Sequence, residues 1–239
     1  YPKGLKPRDF LPYYSKIFRT NEINTTFYQI PSKRVVTNWA RKTPEDFKFS
    51  AKLPKTFTHD AKLNVDGCLD DLSLYLGNMD PLVRAGKLWT FLIQLPPSFR
   101  KEEHFEHLKR FIDEWPAERS TAPYHLTVEF RDKSWMAKEV FAYLKSESLT
   151  YCGVIEPKLP PRMDVTNPDF AYIRFHGYGT RIWFDYEFSD EEIEKWSEKV
   201  KEVLPEAKKV GIYFNNHFSG YAPKNALMMM EDLEVKPRK

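Results

Sequence analysis

The sequence predicts an α/β fold of the TIM type, a (β/α) barrel of parallel strands that forms one domain over residues 1–239. Segments that alternate polar and apolar residues, as strands do, are separated by segments with helical periodicity, and parallel neighbours in a sheet need such helical crossovers. The length of 239 residues is also ordinary for this barrel. An open doubly wound sheet is the alternative, but its usual Gly-rich turn after the first strand is not visible.

Local patterns define the elements of the first half of the chain. Residues 7–19 have apolar residues on one side of a helix, residues 22–28 alternate as a strand does, and Ser32 is suited to cap a helix over 32–42. The further elements of this half are a strand at 47–53, a loop followed by a helix across 56–84, and a strand at 88–95 that two prolines end.

The second half repeats the alternation, beginning with an amphipathic helix over 101–115. The predicted strands that follow are 126–131, 149–155, 171–176 and 210–215. The predicted helices between and after them are 134–147, 189–204 and 223–231. A closed barrel of this type has eight strands, whereas seven are predicted here, and the chain opens on a helix. We therefore expect the usual first strand to precede Tyr1.

Composition narrows the class of protein. The 37 basic and 34 acidic residues nearly balance, which is too mild an excess to indicate nucleic acid by itself. Cys68 and Cys152 stand apart, so neither a zinc motif nor a disulfide framework is predicted. No apolar run is long enough to span a membrane, and the N-terminus does not resemble a signal peptide. We expect a cytoplasmic protein without membrane contact, and the oligomeric state stays open.

Charged residues share one face of the strand at 126–131. Strict alternation directs Val128 and Phe130 to the helix-covered face and directs Thr127, Glu129 and Arg131 inward. The same parity gives polar inward groups on most other strands: Glu22, Asn24 and Thr26; Ser50 and Lys52; Gln94; Tyr172, Arg174 and His176; Tyr213 and Asn215. Because the active sites of these barrels lie at the carboxyl ends of the strands, this pattern predicts a polar pocket there.

Three of these residues are the predicted acid/base groups: Glu129 first, then His176 and Glu22. Burial near the rings of Trp135 and Tyr172 would raise the pKa of Glu129, whereas Arg131 would lower it. Further residues are predicted to bind the ligand: Asn24, Tyr28, Lys52, His59, Gln94, Arg131, Trp135, Arg174, Gly177, Asn215, Asn216 and Gly220. The opposing interpretation is a polar core in which Glu129 pairs with Arg131, Arg174 or Lys52 and only maintains the register.

Phosphate is one predicted ligand. Barrels of this type often bind phosphate at their last two strand-to-helix loops, which here are 176–181 and 215–226. Gly177, Gly179 and Gly220 would let the backbone approach an anion, although glycines also simply make turns.

Metal binding has weaker support. The residues of ligand type are Glu22, His59, Glu129, His176 and His217, and they have no metal-motif spacing. No cofactor is evident, and a divalent metal stays open.

Several longer segments resemble one family. They are YPKGL at the start, EINTTFYQIP, TPEDFKFSAKLPKTFTHD, QLPPSF, VEFRDKSW, YIRFHG and YFNNHFSGYAPKNA. In this order they are similar to the YecE-like proteins, domain of unknown function number seventy-two. The resemblance implies a TIM-type barrel whose usual first strand is missing here, and it implies no established activity.

The function predicted from the sequence is an enzyme that binds a small polar molecule, sugar-like or phosphorylated, at the mouth of the barrel and acts by acid/base chemistry at Glu129. A hydrolase, isomerase or lyase would suit such chemistry. The alternatives are a nucleic-acid binding or processing protein, whose rings would stack on bases, and a non-catalytic scaffold. The scaffold predicts that Glu129 and Arg174 are closed off from solvent.

Overall fold

Strands and helices alternate along the chain, as predicted. The structure, a computed structural model, describes residues 1–116 and 121–237. The strands of the described residues are β1 Thr20–Ile23, β2 Lys48–Lys52, β3 Leu88–Gln94, β4 His125–Glu129, β5 Thr150–Ile155, β6 Ala171–Phe175 and β7 Val210–Phe214. The helices are α1 Phe10–Tyr14, α2 Lys33–Arg41, α3 Leu69–Arg84, α4 Lys101–Asp113, α5 Lys138–Ser146, α6 Asp190–Val203 and α7 Tyr221–Asp232.

The chain divides into two compact units. The N-terminal unit contains the described residues of 1–95 and 101–126 together with Pro237, and the C-terminal unit contains 96–100 and 127–236. In the N-terminal unit β1 pairs with β2 and β2 with β3, all parallel. In the C-terminal unit β4 to β7 pair in chain order, also parallel. Parallel pairing of consecutive strands through helices confirms the predicted α/β fold class of the TIM type.

The largest difference from prediction lies in the first 28 residues. A short 3-10 turn precedes α1, and α1 ends at Tyr14 rather than continuing to residue 19. The strand predicted at 22–28 is β1, which ends at Ile23 and is followed by a 3-10 turn over Thr25–Phe27. The buried Thr26 hydroxyl donates to the carbonyls of Ile23 and Lys52, a side-chain bond to the backbone that competes with strand extension.

Elsewhere the central residues of the strands and helices lie where the sequence predicts them. Ser32 directly precedes α2, although its side chain makes no capping bond. At α6 the Ser189 hydroxyl accepts from the Glu192 N–H while Glu192 accepts from the Ser189 N–H, which satisfies two backbone donors at the helix start. In the described part of the chain, no helix is both long and apolar enough to cross a membrane.

Alternate residues of β6 lie on opposite faces of the strand in the C-terminal unit. Ile173 and Phe175 pack into an apolar core with residues of β5, α6 and α7. Fully burying each such side chain stabilises the fold by about 1.5–3 kcal/mol. Arg174 and His176 have the opposite parity and lie on the other face of the strand, where polar groups gather.

Candidate functional site

Charged and polar side chains meet at the carboxyl ends of the strands in the C-terminal unit. Glu129 ends β4, Glu156 follows β5, Arg174 is in β6, and Asn215 follows β7. We call the following group the polar cluster: Glu129, Arg131, Glu156, Arg174, His176 and Asn215. The inward parity predicted for Glu129, Arg131, Arg174 and His176 therefore brings these residues together.

Glu129 lies at the centre of the polar cluster and is fully buried, with 0% of its surface exposed. Its Oε1 accepts from Arg131 Nε, and its Oε2 accepts from Arg174 Nη1. The thiol of Cys152, on the neighbouring strand β5, lies 3.8 Å from the same Oε2. Each carboxylate oxygen of Glu129 is thus engaged by its own guanidinium.

Arg131 connects three members of the polar cluster. Besides its bond to Glu129, its Nη1 donates to Glu156 Oε2 at 2.6 Å and its Nη2 donates to His176 Nε2 at 3.0 Å. A guanidinium has five N–H groups. Three of these groups have acceptors, and the other two have none among the residues that the structure describes. The side chain is also 13% exposed, more than Glu129, Glu156, Arg174 or His176.

The contact with Arg131 sets the tautomer of His176. A guanidinium donates hydrogen bonds and never accepts them, so His176 Nε2 accepts and carries no proton. The ring is then neutral, with its proton on Nδ1. Its Nε2 also lies 3.8 Å from Glu129 Oε1, which keeps the imidazole against the ion pairs.

Asn215 fixes the other guanidinium. With the amide oriented so that its oxygen faces β6, Oδ1 accepts from Arg174 Nε at 3.0 Å and also from Nη2. Arg174 is therefore held between the carboxylate of Glu129 and the amide of Asn215. The hydrogen bonds of each group restrict the rotamer of its neighbour, which gives a defined arrangement of charge.

Glu156 is the least satisfied member of the polar cluster. Its Oε2 accepts from Arg131, whereas its buried Oε1 has no hydrogen-bond partner within residues 1–116 and 121–237. Burial raises the pKa of Glu156 above the ordinary glutamate value, and the charge of Arg131 only partly opposes this. Leaving a buried carboxylate oxygen without a donor is costly, so such an oxygen calls for an explanation.

Sequence reasoning missed Glu156. The predicted strand at 149–155 contains no charged residue, and the prediction ends one residue before Glu156. Yet Glu156 has the same parity as Cys152 and Val154, so extending the alternation by one residue past the strand would have found it.

Other predicted residues of the C-terminal unit have structural partners. Trp135 is buried between Phe130 and Phe99, with ring centroids 4.5 and 5.5 Å away, and its Nε1 donates to the Phe99 carbonyl. Asn216 is also buried and donates to the Tyr186 carbonyl and to Asn225 Oδ1. Trp135 thus contributes to the core, and the ligand contact predicted for it from the sequence stays a prediction.

Two glycines of the predicted phosphate loops are explained by packing within the protein. A Cβ at Gly177 would lie 2.7 Å from the Trp183 carbonyl oxygen, and one at Gly179 would lie 2.0 Å from that of Ile182. These two positions make room for protein backbone. Gly220 differs, because a Cβ there would meet nothing within 4 Å and its φ of +79° is left-handed. Phosphate binding at these loops stays a prediction.

The predicted residues of the N-terminal unit lie in separate surroundings. Glu22 and Asn24 line a pocket of about 400 Å³ together with Tyr14 and Trp39. The Gln94 amide donates to the Leu95 carbonyl.

Three other predicted residues of this unit gather around Phe27. Lys52 Nζ lies 3.8 Å from the centre of the Phe27 ring, which His59 and Tyr28 contact edge-on. Tyr28 is exposed and His59 Nδ1 bonds to Thr58 Oγ1. Among the described residues, no group of three or more His, Cys, Asp or Glu side chains has the arrangement of a metal site.

The fold and the polar cluster define an α/β protein of the TIM type with a buried ionic network at the carboxyl ends of its C-terminal strands. The chain belongs to the family described as "Protein of unknown function DUF72", whose sequence profile it matches over residues 1–239. This confirms the YecE-like resemblance.

Relatives and solved structures agree with this membership. The chain is 24% identical to UPF0759 protein YunF of Bacillus subtilis (strain 168) over 261 residues, which cover 99% of this chain and 90% of that protein. It is 36% identical to UPF0759 protein YecE of Escherichia coli (strain K12) over 129 residues, which cover 54% of this chain and 43% of YecE.

Two crystal structures of the family are similar to the whole chain. A DUF72 family protein (EF0366) from Enterococcus faecalis V583 has a TM-score of 0.86 and 28% identity, covering 95% of this chain and 94% of that one. A DUF72 family protein (TM1631) from Thermotoga maritima MSB8 has a TM-score of 0.87 and 35% identity, covering 98% and 92%.

Proposed function

We propose that the protein is an enzyme that binds a small anionic molecule, such as a sugar phosphate, at Arg131 and uses Glu156 for acid/base chemistry. The observation that carries this proposal is the buried Glu156 Oε1 without a hydrogen-bond partner, next to the guanidinium of Arg131. A substrate hydroxyl is the kind of group that would complete the hydrogen bonding of this oxygen.

Arg131 is suited to hold the anion. It is the most exposed ionic member of the polar cluster, and two of its N–H groups lack acceptors. A guanidinium binds carboxylate or phosphate oxygens through paired, charge-assisted hydrogen bonds. Because Glu129 and Glu156 already hold its position, the ligand would meet a preorganised donor.

Glu156 fits the acid/base role better than Glu129, for which the sequence predicts it. Both oxygens of Glu129 already accept from guanidinium groups, and its side chain is fully buried. Glu156 has one unengaged oxygen and a raised pKa, which brings a carboxyl group closer to the neutral pH at which proton transfer is efficient. In this proposal Glu129 positions Arg131 and Arg174.

His176 helps to position Arg131 in the proposal. Its Nε2 accepts from Arg131, the same guanidinium that donates to Glu156. His176→Gln keeps a side chain that can accept from Arg131, so it should change ligand affinity little. The acid/base role that the sequence predicts for His176 stays a prediction.

Binding of sugar phosphates and small carboxylates, measured by titration calorimetry on the folded protein, tests the proposal. Arg131→Lys keeps the charge but loses the planar fork, so we expect at least about tenfold weaker binding. The matched control is Arg162→Lys, because Arg162 also forks to a carboxylate, Asp164, in the same unit. Equal losses in both variants, or none in either, would refute an anion site at Arg131.

Turnover tests the role of Glu156. With any compound that binds, Glu156→Gln should retain binding and lose turnover by orders of magnitude, because an amide cannot exchange a proton at this position. The matched control is Glu202→Gln, an exposed glutamate paired with Lys199. Full activity in Glu156→Gln would remove the acid/base assignment.

A non-catalytic scaffold is the second candidate function. It is favoured by the burial of Glu129 and Arg174, of which 0% and 3% are exposed. In that case the polar cluster only maintains the pairing of β4 to β7. It predicts that no anion binds and that Arg131→Lys lowers the free energy of unfolding without any other consequence.

A further inference from the structure

Four aromatic side chains gather on the loops that follow β6 and β7. We call them the ring cluster: Trp183, Phe184, His217 and Phe218. The Phe184 ring stacks on His217, with centroids 4.9 Å apart and planes 18° apart, and lies 5.6 Å from the Phe218 ring. Phe184 is nevertheless 36% exposed, and the adjacent Ile182 is 39% exposed. These loops thus present aromatic surface to solvent.

The loop that carries Phe184 is fixed against the strand ends. A Cβ at Gly177, directly after His176, would lie 2.6 Å from Tyr186 Cβ and 2.7 Å from the Trp183 carbonyl oxygen. The segment 183–186 therefore packs onto the end of β6. Asn216 donates to the Tyr186 carbonyl at 2.8 Å, which joins this loop to the one after β7.

The ring cluster lies beside the polar cluster. His217 is two residues beyond Asn215, and its Nδ1 lies 3.0 Å from the Asn215 carbonyl oxygen. Lys158 is two residues beyond Glu156, and its Nζ lies 4.5 Å from the centre of the Trp183 ring. Two residues span at most about 7 Å of chain. The loops after β5, β6 and β7 therefore each connect a member of the polar cluster to the ring cluster.

The charges around the rings suit an anionic ligand. Lys158 and the exposed Arg181 are positive, and Asp185 is the opposing carboxylate of the same loop. Glu187 is already paired with Lys224. The balance of these groups is positive, and the polar cluster adds the partly exposed guanidinium of Arg131.

We propose that the ring cluster binds the flat ring of the ligand, so that the substrate is nucleotide-like, a planar base joined to an anionic group. This inference rests on the proposed function, since Arg131 binds the anion. The base stacks on Phe184, as bases do on exposed aromatic side chains, while the sugar between base and anion reaches Glu156. A ligand without a planar ring would leave Phe184 and Ile182 exposed.

Three probes separate the parts of this inference: adenosine monophosphate, ribose 5-phosphate and adenosine, each titrated into the folded protein. We expect adenosine monophosphate to bind at least about tenfold more tightly than ribose 5-phosphate, from stacking alone. Phe184→Ala should remove that difference and leave the affinity for ribose 5-phosphate unchanged. Phe184→Trp should restore it. The control is Leu204→Ala, because Leu204 is an apolar residue of the same unit that is 44% exposed.

Each other outcome refutes the ring site, the anion site or both. Equal affinities for adenosine monophosphate and ribose 5-phosphate, unaffected by Phe184→Ala, would refute the ring site and leave the anion site standing. If adenosine binds as tightly as its monophosphate, and Arg131→Lys leaves both affinities unchanged, the anion site is refuted and the ring site stands. No binding of any probe at millimolar concentration would refute both.

Discussion

Lys87 and Arg131 are buried or nearly buried cations at opposite ends of strands. Lys87 directly precedes β3, and its Nζ donates to the Ala40 carbonyl at 2.6 Å, the Thr43 carbonyl at 2.8 Å and Thr43 Oγ1 at 3.2 Å. An ammonium has three N–H groups, and all three have neutral acceptors here. Arg131 follows β4, is surrounded by ionisable groups and keeps two N–H groups without acceptors.

Lys87 and Arg131 show how a structural buried charge differs from one that is proposed to bind a ligand. A cation whose donors are all satisfied by backbone and hydroxyl oxygens stabilises the fold and has nothing left to offer a ligand. The polar cluster keeps an unpartnered Glu156 oxygen and open donors at the carboxyl ends of strands, where barrels of this type have their active sites. A structural buried charge therefore differs from a ligand-binding one in whether all of its hydrogen-bonding groups have partners, and burial alone does not distinguish them.

Glu129→Gln should have the largest effect on stability. The variant leaves Arg131 and Arg174 buried without their shared carboxylate, and removing one partner of a buried ion pair costs about 3–5 kcal/mol. Urea unfolding at neutral pH measures this, with Glu202→Gln as the exposed control. A loss below about 1 kcal/mol would mean that solvent screens the network, and the contrast with Lys87 would collapse.

Lys87→Met should have an intermediate effect. It removes the ammonium and leaves the Ala40 and Thr43 oxygens without their donor, for an expected loss of about 1–3 kcal/mol. Ligand affinity should stay as in the wild type, because Lys87 has only a structural role in this interpretation. A variant that unfolds normally but binds the probes more weakly would contradict the distinction between the two cations.

Glu156→Gln should have the smallest effect on stability, and its sign depends on pH. Because burial raises the pKa of Glu156, the folded state disfavours its charge. The stability that the protonated Glu156 side chain contributes is fully present below the ordinary glutamate pKa. It is lost as the pH rises through the raised pKa. The stability of the variant relative to the wild type should therefore increase as the pH rises from the ordinary glutamate pKa through the raised one. Unfolding curves of the variant and the wild type at several pH values measure this difference. A variant that loses stability relative to the wild type as the pH rises would contradict the prediction.

Much of the fold and part of the site follow from the sequence. Alternation predicts β4 and β6 and places Glu129, Arg131, Arg174 and His176 on one face, because side chains of a strand alternate strictly. Periodicity does not predict the early end of β1, since the Thr26 hydroxyl bonds to the carbonyl of Lys52, which lies 26 residues away in sequence. Such a bond exists only once the tertiary structure has formed.

The roles within the site are harder to predict than its members. Pattern alone cannot show that Glu129 loses both oxygens to guanidinium groups while Glu156 keeps one. Nor can it show that Gly177 and Gly179 make room for backbone carbonyls. These distinctions depend on distances between segments that are remote in sequence, which no local pattern contains.

The charge balance of the polar cluster has a consequence for how a ligand enters. Glu129 and Glu156 contribute two negative charges, Arg131 and Arg174 two positive ones, and His176 is neutral, so the cluster is electroneutral. If an anion binds as proposed, it upsets this balance, and Glu156, whose pKa is raised by burial, is the group that would restore it by taking up a proton. Binding and protonation would then be a single coupled equilibrium, and the heat of binding would depend on the ionisation enthalpy of the buffer.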